Sequence, residues 1–384
     1  MISGARLAWL QLRRQKVRCA VAIAGVAFAV LLMFMQLGFQ DALFRSAVNV
    51  HERLDGDLFF FHPNYSVLVL MSYFPRVRLY QALGFDGVES VTPLYTAIMP
   101  WKNPQTGRTR DIFLVGVDPT ADVLDIPDAR AQMDLLRFPD VVLYDEYSRP
   151  EFGPIAASVR SGAPVSTEIR NRTVTVRGLF KLGTSFGIDG TVLTSDLNFL
   201  RIATHVSAGK VAIGIVRLRP GADARAVQAA LRAHLPHDVK ILTKQEMVDQ
   251  EVDYWAKGTP IGFVFTFGVV MGLVVGMIIV YQILFADISD HLKEYATLKA
   301  MGYANRYRVG VVLMEATILA FAGFVPGVAV CAWSFTVARR ATLLPMAVDA
   351  VRAAEVLCLT LVMCWASALI AVRKLRAADP ADVF

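Results

Sequence analysis

Long apolar runs alternate with polar stretches along the chain, and the runs set its plan. Residues 19–40 and 258–286 carry no Asp, Glu, Lys or Arg, residues 309–338 carry only Glu315, and residues 356–372 carry none. A helix needs about 20 residues to cross about 30 Å of hydrocarbon. Three runs therefore predict full membrane spans, and the fourth predicts a short one. Between the first two lies a mixed stretch, residues 41–257, large enough to bury its own core. The fold class this implies is an α-helical membrane protein with four transmembrane helices and a large α/β (α+β) extracytoplasmic domain between helices 1 and 2.

The two ends of the mixed stretch read alike. Asp57–Phe61 predicts a strand, Arg76–Leu83 a helix and Val88–Met99 a strand. Near the other end, Val211–Leu218, Asp223–His234 and Val239–Leu242 repeat the order. Two β-α-β halves, 41–120 and 202–257, are expected to lie side by side. Residues 121–201 read as an inserted β-rich lobe, with the alternation of Arg170–Arg177 marking a strand. Leu58–Pro75 is nearly uncharged, but His62, Pro63 and Asn64 argue against a span. Thr243-Lys-Gln-Glu246 is a capping box. It opens a helix predicted to run through Trp255 into the second span as one stiff lever.

The polar island between the second and third spans, residues 287–308, has helical order of its own. Ser289 or Asp290 is placed to N-cap a helix, Leu292, Tyr295 and Leu298 recur every third residue, and Gly302 is placed to end it. Lys293, Glu294 and Lys299 surround the apolar stripe. The pattern alone leaves two readings open: a helix seated in a partner's groove, or a loop resting on lipid headgroups.

Composition agrees with a membrane protein carrying a large aqueous part, with 55% hydrophobic and 19% charged residues. The net charge of +6 is concentrated at the start. Arg6, Arg13, Arg14, Lys16 and Arg18 precede the first run with no acid among them, leaving residues 19–384 at +1. That is the flank of a cytoplasmic N-terminus, not a nucleic-acid surface. Residues 1–18 read as an amphipathic segment along the inner membrane face, with Trp9 at headgroup level. A cleaved signal peptide is the competing reading of residues 19–40, but the run is too long and no small-residue cleavage site follows. Four spans put both termini in the cytoplasm, with a short outer loop at 339–355 and a cytoplasmic tail at 373–384. Arg339, Arg340 and Arg352 fall on the outer side, against the charge rule.

Within the spans, Gly268, Gly272 and Gly276 lie four apart, as do Gly323 and Gly327. Small residues at this spacing make a face that a second helix can approach closely. Pro326 is expected to kink the third span. Cys19, Cys331, Cys358 and Cys364 all fall in apolar runs, so no disulfide framework is expected in the aqueous part. No G-x-x-x-x-G-K-[ST], H-E-x-x-H or G-x-S-x-G occurs. Pro236 breaks the helical alignment of His234 and His237, so no metal site is expected. Glu315 lies about 10 Å of helix from Arg308, within reach of the inner interface.

These residues resemble the permease subunits of ABC exporters in the MacB/FtsX-like superfamily, and most closely the DevC type. The superfamily loop carries a basic-Glu element and then basic-Ala-Leu-Gly. Lys293-Glu294 matches the first, and Lys299-Ala300-Met301-Gly302 the second, with Met for Leu. Met314–Gly327 is similar to the family's Glu-Ala opening and Gly-rich middle of the third span. DevC-like strings include Leu79–Tyr95, Ser148–Ile155, Asp189–Ile202, His291–Tyr303 and Arg373–Phe384.

The resemblance implies a non-catalytic permease with no cofactor in this chain. Mg-ATP would be bound by a separate ABC ATPase subunit, seated at His291, Leu292, Lys293, Glu294, Tyr295, Leu298, Lys299, Met301 and Gly302. It also implies a homodimer in the bacterial inner membrane. The partners would be a periplasmic membrane-fusion adaptor and a TolC-like outer-membrane channel, with membrane lipid around the spans. ATPase motion would be transmitted to the periplasmic domain, in the process called mechanotransmission, to export a lipid-like, possibly glycolipid, cargo. An FtsX-like signalling transducer or a lipoprotein-releasing permease is the alternative within the same superfamily.

Overall fold

The computed structural model describes residues 16–70, 72–290 and 305–376. In chain order the helices are α1 (Lys16–Glu52), α2 (Arg76–Gln81), α3 (Pro127–Arg130), α4 (Ile155–Arg160), α5 (Asp196–Ile202), α6 (Ala224–His234), α7 (Lys244–Lys257), α8 (Pro260–Asp290), α9 (Asn305–Thr342) and α10 (Ala350–Arg376). The strands are β1 (Leu58–Phe61), β2 (Phe74–Pro75), β3 (Val88–Lys102), β4 (Thr109–Val117), β5 (Val141–Asp145), β6 (Val165–Ile169), β7 (Arg172–Phe180), β8 (Thr191–Ser195), β9 (Lys210–Val211), β10 (Ile213–Leu218) and β11 (Lys240–Thr243). The chain divides into two units. One comprises residues up to Ala42, Pro260–Thr342 and Met346 onward; the other comprises Leu43–Thr259 with Leu343–Pro345.

In the first unit, α1, α8, α9 and α10 are each long and apolar enough to cross a membrane. Helix α1 does not stop at the end of its uncharged run. No proline interrupts residues 41–52, and the helix continues to Glu52. Helix α9 likewise runs unbroken through Pro326.

The second unit is built on a nine-stranded sheet in the order β11-β1-β10-β3-β4-β8-β5-β7-β6. Strand β1, Leu-Phe-Phe-Phe, is buried at every position and pairs antiparallel with β10 on one side and β11 on the other. A strand covered on both faces reads as a continuous apolar run, which is why this segment mimics a membrane span in hydropathy. Strand β3, 15 residues long, joins the halves. Its first part pairs with β10 and its second with β4.

The lobe expected at residues 121–201 shares this sheet. Strand β8 pairs parallel to β4, and β5 pairs with both β8 and β7. A bridge between Trp101 and Ile169 brings β6 back against β3, so that β3-β4-β8-β5-β7-β6 curl into a nearly closed ring. Trp101 is fully buried, and its Nε1 donates to the Phe152 carbonyl at 3.2 Å. Leu79, Phe199, Ile202 and Leu231, from α2, α5 and α6, belong to the core on one face of the sheet. On the other face, Ala129 of α3 and Met247 of α7 join Tyr65 and Leu68 over Phe59, Phe61 and Ile213.

The turn before β5 holds a charged residue in a left-handed conformation. Asp140 has φ +59, its backbone N–H donates to Asn198 Oδ1 at 3.1 Å, and its carboxylate accepts from Arg172 and Arg201. The Arg172 guanidinium outweighs partial burial and holds the Asp140 carboxyl below the usual carboxylate range. Because the folded-state value is depressed, the stabilisation is present above the ordinary Asp value and is lost as pH falls through the folded one. Asparagine tolerates the same backbone but carries no charge. Asp140→Asn should therefore cost about 1 kcal/mol at pH 7. The difference in melting temperature from the parent should shrink steadily from pH 5 downward, read in parallel thermal scans of the detergent-solubilised chain.

Candidate functional site

Helix α7 is an amphipathic helix with a carboxylate on its apolar face. Thr243 Oγ1 accepts from the Glu246 N–H, and Glu246 reaches back to the Thr243 N–H, so the predicted capping box forms. The buried positions are Met247, Glu251 and Trp255, four apart. Glu251 is 2% exposed, and a carboxylate removed from water that far requires several donors. It has them. The Leu68 N–H donates to Oε2 at 2.9 Å, Trp255 Nε1 donates to Oε1 at 3.1 Å, and His51 Nε2 approaches Oε2 at 3.3 Å. Tyr65 Oη lies 3.0 Å from the same His51 nitrogen and donates to Glu251 Oε2 at 3.4 Å. Burial, and then the adjacent Glu251 charge, push the Tyr65 hydroxyl well above its ordinary value, so it remains a donor.

A second attachment lies one level above. Lys244 Nζ donates to the carbonyls of Glu52 and Leu54, each at 2.9 Å. These carbonyls close α1, where a cation complements the helix dipole. Gln250 Nε2 donates to the Tyr65 carbonyl at 2.8 Å. Helix α7, the last two turns of α1 and the loop after β1 thus form one knot around Glu251.

The expected continuous lever is corrected at its lower end. Helix α7 stops at Lys257, residues 258 and 259 are non-helical, and α8 begins at Pro260. Proline lacks the N–H that a continuing helix needs and disfavours helical geometry in the residue before it. Thr259 Oγ1 donates to the Trp255 carbonyl at 2.9 Å, and Gly258 N–H to that of Tyr254 at 2.8 Å. The lever is two helices with a capped joint.

In the membrane unit, α1 is approached through glycines on both α8 and α9. A side chain at Gly268 would collide with Gln36, one at Gly276 with Ala29 and with Met363 of α10, and Gly272 faces Leu32 and Met33. Gly323 and Gly327 leave room for Val26 and Val30 of α1. Ser367 of α10 donates to the Met277 carbonyl at 2.9 Å. At one end, Arg18 pairs with Asp290, linking the start of α1 to the end of α8. At the other, Arg352 Nη2 meets Asp41 Oδ1 at 3.1 Å.

The helix that Ser289 or Asp290 was expected to cap lies outside the described residues. Both lie in α8, and Ser289 Oγ donates to the Phe285 carbonyl at 2.7 Å. Glu315 is buried beside Asp287 of α8. His291, Leu292, Lys293, Glu294, Tyr295, Leu298, Lys299, Met301 and Gly302 lie outside the described residues. The Glu251 knot was missed in the sequence, although it left a signal: an acid four residues from both Met247 and Trp255.

Two family models match the chain. The FtsX-like permease C-terminal model covers residues 266–380, and the MacB-like periplasmic core domain model covers residues 19–234, more than half the chain. The chain belongs to the MacB/FtsX-like permease family. Solved structures similar to it include the periplasmic region of MacB from Actinobacillus actinomycetemcomitans, at 12% identity and TM-score 0.35, covering 53% of this chain and 96% of that one. The extracellular domain of the noncanonic ABC-type transporter YknZ from Gram-positive bacteria gives 13%, 0.33, 49% and 99% in the same order. A domain of a putative permease from Porphyromonas gingivalis gives 17%, 0.30, 50% and 89%. No curated protein matches. As a MacB/FtsX-like permease, the chain is a multi-pass membrane protein of the type VII ABC transporter class, a family that works with an ABC ATPase.

Glu251→Ala leaves the Leu68 N–H, Trp255 Nε1 and Tyr65 Oη donors, with His51 beside them, without their buried acceptor and should cost about 3 kcal/mol locally. Amide hydrogen exchange of the full-length chain should then speed up about 100-fold in peptides covering residues 47–54 and 62–70. Exchange within β4 and β8 should be unchanged.

Proposed function

We propose that this chain is the permease subunit of an ATP-driven tripartite exporter in a bacterial inner membrane. It works as a homodimer with a separate ATPase that binds and hydrolyses Mg-ATP. The observation that carries the proposal is the Glu251 knot in a chain of this family. The distal end of α1 and the helix leading to the second span are fixed to each other, so movement of either helix is delivered to the nine-stranded sheet through shared hydrogen bonds. This is the frame that a permease needs if it transmits work to an outer domain without passing cargo between its spans.

Residues 291–302 are the ATPase seat in this reading, with Lys293-Glu294 and Lys299–Gly302 the elements in contact. The extracytoplasmic sheet engages a membrane-fusion adaptor that leads to a TolC-like duct. The cargo class is lipid-like, in keeping with the DevC-type strings, and a glycolipid is the first candidate to assay. Both termini are cytoplasmic.

The test has two arms. Mild solubilisation and purification of the native complex should recover an ABC ATPase and an adaptor; recovery of a cell-wall hydrolase in place of the adaptor would make the chain a transducer instead. In reconstituted complexes, Glu294→Lys and Gly302→Pro should insert normally and leave basal ATP hydrolysis within about twofold, while export falls at least about tenfold. Normal export by both variants would contradict the seat assigned to residues 291–302.

A further inference from the structure

Two loops of the extramembrane unit contain no Asp, Glu, Lys or Arg, residues 62–73 and 182–188. Both are tied to helices that lead to the membrane. Glu251 and Gln250 of α7 hold the first through the Leu68 N–H and the Tyr65 carbonyl. Asn49 of α1 holds the second, its Nδ2 donating to the Leu182 carbonyl at 2.7 Å. The loops also touch each other, since a Cβ placed on Gly187 would come within 2.7 Å of Val69 Cγ1. Each presents a large apolar side chain to the outside: Phe186 is 51% exposed and Leu70 is 58% exposed. Behind Phe186 lies Trp255, edge-on with ring centroids 5.4 Å apart, and Tyr254 packs edge-on against Trp255 in turn.

Chain reach bounds how far this group stands from the spans. Trp255 precedes Pro260, the first residue of a membrane helix, by five residues, at most about 18 Å of extended chain. Along the chain, Trp255 is one helical turn nearer to Pro260 than Glu251 is. On the other helix, Asn49 is nine residues, about 13 Å of helix, beyond Gln40, the last residue of the uncharged run. Phe186 hangs four residues further along the loop that Asn49 holds. A headgroup layer adds several ångströms beyond the hydrocarbon on each side, and aromatic rings concentrate there. An uncharged pair of loops with exposed apolar tips, backed by Trp and Tyr and tethered this close to the span, matches that layer.

We propose that Phe186 and Leu70, backed by Trp255 and Tyr254, dock the extramembrane unit on the lipid headgroups of the leaflet it faces. The occupant of this surface is lipid. The contact does not depend on the ATPase or the adaptor, and it places a lipid-facing patch directly against the helix that carries Glu251.

The test uses the full-length chain with Cys19, Cys331, Cys358 and Cys364 replaced by alanine, in nanodiscs of phosphatidylethanolamine and phosphatidylglycerol doped with a nickel-chelating headgroup lipid. Spin labels are placed at Phe186→Cys, Leu70→Cys and, as a control on the β3–β4 turn, Gln105→Cys. Nickel lipid should enhance relaxation at 186 and 70 at least about threefold more than at 105, as for groups at headgroup depth. Equal enhancement at all three positions would overturn the proposal. Dipolar broadening between two labels at 186 without a nickel effect would also overturn it, because a second copy of the chain would then cover the face. The native chain supplies an independent reading that keeps the aromatic ring. A headgroup-tethered photoreactive phosphatidylethanolamine should leave adducts on peptides covering 66–70 and 182–188, and their absence there would equally overturn the proposal.

Discussion

A carboxylate out of water holds together only with what bonds to it, and Glu251 is bonded to residues from three parts of the chain. His51 comes from the end of α1, Tyr65 and Leu68 from the loop after β1, and Trp255 from its own helix. Removing any one partner leaves the remaining polar groups buried and unsatisfied, a larger cost than the bond itself. The knot is therefore cooperative, with its parts holding their arrangement together. The distal end of α1 and the whole of α7 behave as one body for that reason, and the Lys244 bonds to the end of α1 add a second point of attachment.

The sheet gives that body something to act on. Strand β11 runs directly into α7, and β1 follows α1 after a short turn, and the two strands are hydrogen-bonded neighbours. From them the pairing runs without interruption to β6. The joint at Gly258–Thr259 works the other way, because Pro260 prevents α7 and α8 from forming one rod. Within the membrane unit, glycines on α8 and α9 bring both helices close to α1, where backbone proximity rather than hydrophobic transfer provides the packing energy.

The four membrane helices were legible in the sequence because a run of about 20 residues without charge is seldom tolerated in water and is what hydrocarbon demands of a spanning helix. Both terminal β-α-β patterns were legible too, since β1, α2, β3, β10, α6 and β11 each keep their own periodicity. The sharing of one sheet by residues 121–201 was hidden. Strand pairing between β4 and β8 joins segments far apart in sequence, and no local pattern records it. The extension of α1 past Gln40 was obscured because its last turns trade membrane contacts for protein ones, which removes the hydropathy signal while the helix persists. Glu251 shows a further limit. Its spacing from Met247 and Trp255 was visible, but the donors that make it a structural centre come from elsewhere in the chain.

The proposed function requires that motion started at residues 291–302 reach the nine-stranded sheet through α1 and α7. The direct measurement is a pulsed-dipolar distance between spin labels at Gln105→Cys on the two protomers of the proposed homodimer, reconstituted with its ATPase, with and without trapped ATP. The account predicts a nucleotide-dependent shift of several ångströms that disappears in Glu251→Ala while ATP hydrolysis continues. An identical distance distribution in both nucleotide states, in a complex that hydrolyses ATP and exports, would contradict it.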